Sequence, residues 1–116
     1  MSDDSLKLKD VIAICSRAKL ADGSMSFNSF GTDDVRIDTM DFLYSIGKTL
    51  EDAEQIVNAI EEKDYVDGPC KHYDDNKKER YLWIFKKDGF GMKLYIKILP
   101  YNKNRYIAVV SFHEDR

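Results

Sequence analysis

Two patterns of hydrophobic residues divide the chain into a first half with helical spacing and a second half with strand-like alternation. Apolar residues recur at intervals of three and four between about residues 5 and 62, which is the spacing of helices with one buried side. From about residue 81 to residue 113, apolar and polar residues alternate instead, as they do in strands. This order predicts an α+β fold, with N-terminal helices packed on a C-terminal antiparallel sheet.

The first half of the chain predicts two helices ahead of a third, more strongly marked one. The first helix spans about residues 5–20 and places Leu8, Ile12 and Cys15 on one stripe, because these positions follow each other at intervals of four and three. The second helix spans about residues 32–46. Its apolar side chains are predicted to be buried: Val35, Met40, Leu43 and Ile46.

The third helix begins near Thr49, where the sequence has the pattern of a capping box. Thr49 and Asp52 are three residues apart, so each side chain can accept a hydrogen bond from the backbone N–H of the other residue. Apolar residues then follow with helical spacing: Ala53, Ile56, Val57 and Ile60. Between the first two helices, the stretch 21–30 contains Gly, Ser and Asn and predicts a turn with one short strand.

Three alternating runs in the second half predict an antiparallel three-strand meander. They are rich in β-branched and aromatic residues and are joined by stretches with the turn residues of hairpins. The predicted strands cover residues 81–87, 93–99 and 105–113. Ahead of them, residues 64–79 form a polar stretch without periodicity, which predicts a structureless connection. Residues 1–116 are expected to form a single domain with one core.

Charge is distributed unevenly along the chain. Residues 77–105 carry nine Lys and Arg against two acids, a net charge of +7, whereas the remainder has a net charge of −10. The basic segment also holds six aromatic residues: Tyr81, Trp83, Phe85, Phe90, Tyr95 and Tyr101. Basic charge interleaved with aromatic rings suits a polyanion whose bases can stack, so this segment indicates nucleic acid as a partner.

Alternation within the predicted strands sorts their side chains into two faces. Lys93, Tyr95 and Lys97 share one face of the middle strand. The other face is apolar and is expected to point toward the helices: Leu94, Ile96 and Ile98. In the last strand the same rule separates two groups: Tyr106, Ala108, Val110 and Phe112 on one face, and Arg105, Ile107, Val109, Ser111 and His113 on the other. The basic face of the middle strand has two interpretations, a solvated face whose lysines protect the sheet from edge pairing, or a binding surface.

Two single residues in this half also have more than one interpretation. His113 stands at the end of the last strand. Histidine changes its charge near neutral pH, so it can donate or accept a proton in a reaction, although a terminal histidine can equally be a simple exposed residue. Trp83 is expected in the core rather than as a platform on which bases stack.

The sequence lacks the signatures of several other classes of site. Cys70 and His72 form an isolated pair without a CxxC motif, so we expect no metal and no cofactor. The glycines of residues 88–91 have the spacing of a hairpin turn and not that of a phosphate-binding loop. No apolar run reaches the roughly 20 residues of a membrane span. The acidic start without an apolar stretch predicts a cytoplasmic protein, in which Cys15 and Cys70 stay reduced.

Short motifs in the C-terminal half resemble a known family. They are Tyr65, the Gly68-Pro69 pair, LWIF at 82–85, LYIK at 94–97 and SFHE at 111–114. In this order they resemble the MqsR-type toxin family, which belongs to the RelE-like mRNA interferases of bacterial toxin–antitoxin systems. The resemblance covers about residues 49–116 and is weak over the first 48. It implies a RelE-like arrangement of helices followed by a meander.

The resemblance implies a small ribonuclease that cleaves mRNA without a metal and is held inactive by a cognate antitoxin protein. In such enzymes the 2′-hydroxyl of the RNA is the nucleophile, so the protein supplies proton transfer and stabilises charge. The matching motifs imply three catalytic residues: Tyr95, His113 and Lys97. Three other cations are implied to bind substrate: Arg80, Lys93 and Lys71. Lys71 lies near Asp67 and Gly68, the place at which some members carry a lysine.

Two other functions stay open on the sequence. The chain has no clear match for that lysine and has Leu82 where a polar residue is expected, so the same scaffold is compatible with a non-catalytic module that binds nucleic acid or protein. The acidic N-terminal half would then be a docking surface for a basic partner. The second function is a different hydrolytic chemistry, for example deamination or a reaction based on Cys70. A Cys70 nucleophile would need a matched histidine and acid, and no recognisable spacing provides them.

Overall fold

Three helices and five strands make up the part of the chain that the structure describes. The structure is a computed structural model. It describes residues 7–27, 34–73, 79–101 and 105–115, with the backbone alone for 34–38, 72–73 and 79–80. The helices are α1 (Leu8–Arg17), α2 (Asp34–Ser45) and α3 (Leu50–Asn58), and a short 3-10 helix (Glu62–Asp64) follows them. The strands are β1 (Met25–Ser26), β2 (Tyr65–Tyr73), β3 (Glu79–Gly89), β4 (Met92–Tyr101) and β5 (Tyr106–Glu114).

The five strands form one mixed sheet in the order β1-β5-β4-β3-β2. The pairs β2–β3, β3–β4 and β4–β5 are antiparallel, whereas β1 pairs parallel with β5. The predicted α+β fold with N-terminal helices is confirmed, and the predicted meander corresponds to β3, β4 and β5. Strand β1 is the short strand expected between the first two helices.

The prediction of a structureless connection over residues 64–79 is wrong for its first part, which forms β2. Strand β2 pairs with β3 from Tyr65 to Tyr73, and the pairing is interrupted by register shifts on either side of Asp67. This strand has no strand-like pattern in the sequence, because its composition is polar and it contains the Gly68-Pro69 pair. It can still form, since proline and irregular pairing are tolerated at the edge of a sheet. Residues 74–78 of the predicted connection lie outside the described residues.

Helices α1 and α2 are both shorter than predicted, and α2 buries Leu43 as predicted but exposes Met40. In α1 the buried side chains are Val11, Ile14 and Cys15. In α2, Thr39 and Leu43 are each 1% exposed, whereas Met40 is 42% exposed. The predicted burial of Met40 is therefore wrong, because a helix that turns Thr39 and Leu43 toward the sheet directs the position after Thr39 about 100° away. The side chain of Val35 lies outside the described residues.

Helix α3 begins at the predicted capping box. The backbone N–H of Asp52 donates to Thr49 Oγ1 at 3.2 Å, and the backbone N–H of Thr49 donates to Asp52 Oδ2 at 2.9 Å. The backbone and side-chain hydrogen bonds from Thr49 hold the pKa of Asp52 below its ordinary value. The buried apolar residues behind the box are Ala53, Val57 and Ile60, as predicted, and Ile56 is half-buried. Local sequence signals thus determine where this helix begins and which side it buries.

The main core lies between the helices and one face of the sheet, which we call the inner face. The strand residues that form the inner face are Trp83, Phe85, Leu94, Ile96, Ile98, Ile107, Val109 and Phe112. Phe112 is fully buried, and its ring lies 6.0 to 6.4 Å from the rings of Phe27, Phe42 and Phe90. Trp83 is 4% exposed, which confirms its predicted place in the core.

The remaining features of the fold concern membranes and thiols. Among the described residues, no helix is long and apolar enough to cross a membrane. Both cysteines are free thiols. Cys15 is buried in α1, and Cys70 is half-buried in β2 rather than in a loop.

Candidate functional site

A β-bulge in β5 decides which side chains lie on the sheet face opposite the helices, which we call the outer face. Lys97 of β4 pairs with Ser111, but the next residue of β4, Ile98, pairs with Val109. Val110 is therefore an extra residue without an opposite partner. From this point onward the alternation of β5 is shifted by one residue.

Because of this shift, the residues on the two faces of β5 differ from those predicted. Ile107 and Val109 lie on the inner face, and Phe112 beyond the bulge joins them there. Ser111 and His113 consequently lie on the outer face with Ala108. Regular alternation would place His113 beside Ile107 and Val109 in the core, so the predicted grouping is wrong. The bulge is what makes His113 available on the polar side of the sheet.

Strand register aligns three polar residues across the outer face, and we call them the polar row. Lys86 of β3 lies opposite Tyr95 of β4, and Tyr95 lies opposite His113 of β5. In the adjacent row, Lys97 lies between Ile84 and Ser111. Paired residues on neighbouring strands have side chains on the same face at close range. The sheet thereby brings together the three residues predicted to be catalytic, Tyr95, Lys97 and His113.

The rings of Tyr95 and His113 are stacked. Their centroids are 5.4 Å apart and the angle between their planes is 24°. The Nζ atom of Lys97 lies 5.8 Å from the centroid of the Tyr95 ring, within the range of a cation–π contact. With His113 and Lys97 against its ring, Tyr95 offers its hydroxyl rather than a free ring face to a ligand.

The orientation of His113 leaves one ring nitrogen for chemistry. Its Nδ1 atom lies 2.9 Å from the backbone oxygen of Glu114. A carbonyl oxygen can only accept, so the neutral ring that makes this hydrogen bond carries its proton on Nδ1 and has Nε2 as a proton acceptor. This arrangement is suited to a general base, and after protonation to a general acid.

The lysines of the outer face differ in their partners. Lys86 Nζ lies 3.3 Å from Asp115 Oδ2, and Lys93 Nζ lies 3.0 Å from Asp88 Oδ1. The hydrogen bond and the charge of Lys93 hold the pKa of Asp88 below its ordinary value. Among the described residues, Lys97 has no carboxylate at ion-pair distance. Lys97 is therefore a cation beside the polar row that forms no ion pair with a described carboxylate.

A small apolar group lies next to the row on the outer face, and we call it the outer cluster: Leu82, Leu99, Ala108 and Val110. Cys70 packs against it. Burial raises the pKa of the Cys70 thiol, and the charge and hydrogen bond of Asp67 raise it further, while Lys97 acts in the opposite direction. The net shift keeps the thiol protonated, which does not suit a nucleophile.

The other predicted substrate-binding residues are not all brought to the polar row. Lys93 lies on the same face of β4 as Tyr95, next to the turn between β3 and β4. Lys71 lies on β2 opposite Tyr81, and this register places it on the side of the sheet that carries the helices. The backbone of Arg80 pairs with His72, but its side chain lies outside the described residues.

Sequence reasoning missed two residues at this site. Lys86 belongs to the polar row, and a signal for it was present, since alternation along β3 places Ile84 and Lys86 on the face opposite Phe85. Asp115 carried no such signal, because its approach to Lys86 depends on how the strands pair. Among the described residues, no group of three or more His, Cys, Asp or Glu is placed to hold a metal ion.

Comparison of the chain with known proteins found no match. No family model, no curated protein and no solved structure matches the chain. The candidate function of this chain therefore rests on the residues of the outer face.

Proposed function

We propose that this chain is a metal-independent endoribonuclease that cleaves mRNA, and that it is the toxin of a bacterial toxin–antitoxin pair. The observation that carries the proposal is the meeting of Tyr95, Lys97 and His113 on the outer face of the sheet. A hydroxyl, a cation and an imidazole at one place are the groups that RNA cleavage by its own 2′-hydroxyl requires. The resemblance of the YIK and SFH motifs supports the same reaction.

The proposed reaction is an attack within the RNA strand. The 2′-oxygen forms a bond to the adjacent phosphorus and loses its proton, while the bond from phosphorus to the 5′-oxygen of the next nucleotide breaks. The leaving oxygen takes up a proton. The products are a 2′,3′-cyclic phosphate and a 5′-hydroxyl, so no water, metal or redox partner enters the step.

Each of the three residues has a role that its surroundings favour. His113 moves a proton at Nε2, because Nδ1 is engaged with the backbone oxygen of Glu114. Lys97 places its ammonium group near the phosphate oxygens, which gain negative charge as the phosphorane forms. Tyr95 donates a hydrogen bond from its hydroxyl to the same phosphate, and its ring is held in place by His113 and Lys97.

The proposed partners are mRNA and a cognate antitoxin protein, and the proposed location is the cytoplasm. The net charge of +7 over residues 77–105 supports binding of an RNA backbone. The net negative charge of the remainder supports a second contact, with a basic surface of the antitoxin. Both partners follow from the same proposal, since a toxin of this kind is kept inactive until its antitoxin is removed.

A second candidate is a non-catalytic module that binds nucleic acid or protein through the same face. The ion pairs of Lys86 with Asp115 and of Lys93 with Asp88 favour it, because they compensate two of the positive charges of the outer face. Such a module would bind without cutting. Measuring binding and cleavage separately distinguishes it from the ribonuclease.

The first experiment is induction of this chain in a bacterial host, with wild type beside Tyr95→Phe and His113→Ala. We expect wild type to stop growth and to fragment transcripts, and both variants to do neither. With purified protein and single-stranded RNA in the presence of a metal chelator, we expect His113→Ala to lower the cleavage rate by about 10² to 10⁴-fold.

Tyr44→Phe is the matched control for Tyr95→Phe. Tyr44 is 88% exposed on α2, so removing its hydroxyl changes the same group away from the polar row. We expect this variant to behave like wild type. Normal growth and intact RNA with folded wild-type protein would contradict the proposed ribonuclease and leave the binding module as the function.

A further inference from the structure

The ion pair between Lys86 and Asp115 lies at the end of the polar row. The Nζ and Oδ2 atoms are 3.3 Å apart, and the two side chains are 41% and 24% exposed. The backbone N–H of Asp115 donates to the backbone oxygen of Lys93 at 2.9 Å, which continues the pairing of β4 with the chain beyond the end of β5. Strand pairing therefore brings the Asp115 carboxylate to Lys86.

Lys86 is close enough to take part in binding at the proposed site. It lies directly opposite Tyr95, and neighbouring strands are about 5 Å apart. His113 is one strand further on the same line. A phosphate held by Tyr95 and Lys97 would have neighbours along the RNA strand within reach of the long Lys86 side chain.

Lys87, the next residue in the chain, forms a buried ion pair with which the Lys86–Asp115 pair can be compared. Lys87 Nζ lies 3.3 Å from Asp64 Oδ2, and these side chains are only 14% and 8% exposed. Asp64 also accepts a hydrogen bond from the backbone N–H of Glu61 at 2.9 Å, so its carboxylate has two partners. Breaking such a buried pair is costly, because it leaves an uncompensated charge away from water.

The Lys86–Asp115 pair is more accessible to water than the Lys87–Asp64 pair, with Lys86 41% and Asp115 24% exposed. An ion pair that water reaches contributes about 0 to 1 kcal/mol, so little free energy opposes its replacement. A phosphodiester carries the same single negative charge as a carboxylate and can accept the same hydrogen bonds from an ammonium group. RNA can therefore take the place of Asp115 at Lys86, because water reaches the carboxylate that is released.

We propose that Lys86 binds a backbone phosphate next to the one that is cleaved, and that Asp115 is a built-in competitor that occupies this ammonium group in the free protein. The inference rests on the proposed function, since it concerns RNA at the same face. It assigns Lys86 to substrate binding and makes the Asp115 carboxylate a group that lowers RNA affinity. Removal of the Lys86 ammonium group must then weaken RNA binding, and removal of the Asp115 charge must strengthen it.

The test compares two lysine–carboxylate pairs of this chain. Lys86→Ala and Asp115→Asn alter the proposed pair, and Lys63→Ala and Glu61→Gln alter the exposed Lys63–Glu61 pair, whose atoms are 3.8 Å apart. Each control changes the net charge of the protein by the same amount as the variant it matches. The probe is a labelled, fully 2′-O-methylated single-stranded oligoribonucleotide, which lacks the attacking hydroxyl and so measures binding alone.

The expected changes are opposite in sign. Lys86→Ala weakens binding of the probe by up to about fivefold, and the slope of log affinity against log salt concentration becomes shallower by about 0.7, the value for one phosphate contact on a single strand. Asp115→Asn strengthens binding by up to about fivefold. Lys63→Ala and Glu61→Gln change the affinity much less than their matched variants. Circular dichroism of each variant checks that it is folded.

Failure of this inference differs from failure of the proposed function. The inference is overturned if wild type binds the probe but Lys86→Ala binds it with the same affinity as Lys63→Ala. It is also overturned if Asp115→Asn binds the probe no more tightly than Glu61→Gln. Absence of any binding by wild type at low salt overturns it as well. Cleavage is measured in parallel on unmodified RNA. Binding with the expected shifts but without cleavage supports the competition between RNA and Asp115 for Lys86 and contradicts the ribonuclease.

Discussion

The inner and outer faces of the sheet are built from the same strands but differ in composition and in what packs on them. The inner face consists of large apolar residues and is packed against α1, α2 and α3. The outer face carries the polar row and the smaller outer cluster. The described helices therefore stabilise one face, and the other has polar groups in a defined arrangement without a helix on them.

Position on the strand, rather than distance along the chain, separates the residues that stabilise the fold from the candidate functional residues. Ile96 and Lys97 are neighbours in sequence, yet Ile96 is fully buried and Lys97 lies beside the ring of Tyr95. The bulge at Val110 interrupts the regular pairing of β5 with β4, and it places Ser111 and His113 on the outer face. Three predictions test this division between the faces.

The largest effect is expected on stability from truncation on the inner face. Ile96→Ala should lower the free energy of unfolding by about 3 kcal/mol, because it leaves a cavity in a fully buried site. Its matched control is Lys97→Ala, which should change stability by no more than about 0.5 kcal/mol. Urea unfolding followed by circular dichroism measures both.

For the proposed RNA cleavage the same pair should behave in the opposite way. Lys97→Ala should lower cleavage by folded protein, because it removes an ammonium group beside Tyr95, whereas Ile96→Ala should act only through the fraction of protein that is folded. Equal loss of stability in the two variants would contradict the division between the faces.

A smaller effect is expected from deleting Val110. Without it, Ser111 follows Val109 directly, and the pairing becomes regular while Lys97 stays opposite Ser111 and Tyr95 stays opposite His113. The deletion should cost about 2 kcal/mol, since it removes a buried valine from the outer cluster. Nuclear Overhauser contacts between the rings of Tyr95 and His113 should persist.

Val110→Ala is the control for this deletion, because it removes most of the same apolar side chain and keeps the extra residue. Both variants should lose a similar amount of stability. Loss of the contact between the rings of Tyr95 and His113 in the deletion variant alone would show that the bulge does not set the faces of β5 as described.

The effect that is smallest at neutral pH concerns the two thiols. Burial raises the pKa of Cys15 to about 12 from an ordinary value of 9.0. The folded state thus holds this proton more tightly than the unfolded state, so the contribution to stability is present below pH 9.0 and is lost as the pH rises toward 12. The difference in unfolding free energy between wild type and Cys15→Ala should shrink over this range.

Thiol labelling at about pH 8 gives an independent readout of the same contrast. Cys70 is half-buried beside the outer cluster, so it should react in the native protein, slowed by its raised pKa. Cys15 should react only in denaturant, and Cys70→Ser should abolish labelling of the native protein. Fast labelling of Cys15 without denaturant would mean that α1 does not cover the inner face as described.

Several elements were predictable because their signals are local. The capping box at Thr49 and Asp52 lies within four residues, and it marks the start of α3 without reference to any other part of the chain. Alternation in β4 likewise separated Lys93, Tyr95 and Lys97 from the buried residues between them. Such patterns depend only on the periods of helices and strands.

Other elements were not predictable because they depend on pairing between distant segments. Strand β2 has no apolar alternation and is stabilised by its ladder with β3. Met40 is exposed because α2 turns Thr39 and Leu43 toward the core. Neither the chosen side of α2 nor the existence of an edge strand can be obtained from local periodicity.

Local patterns were enough to predict that helices precede a three-strand meander and where α3 begins. The resemblance of short motifs then pointed to Tyr95, Lys97 and His113 as candidate site residues. Only the tertiary structure decided that these three residues meet, that Lys86 joins them and that Asp115 reaches Lys86. The physical reason is strand register, in which a single extra residue exchanges the two faces of everything that follows it. Register is set by packing across the whole sheet, so it is not contained in any one segment of the chain.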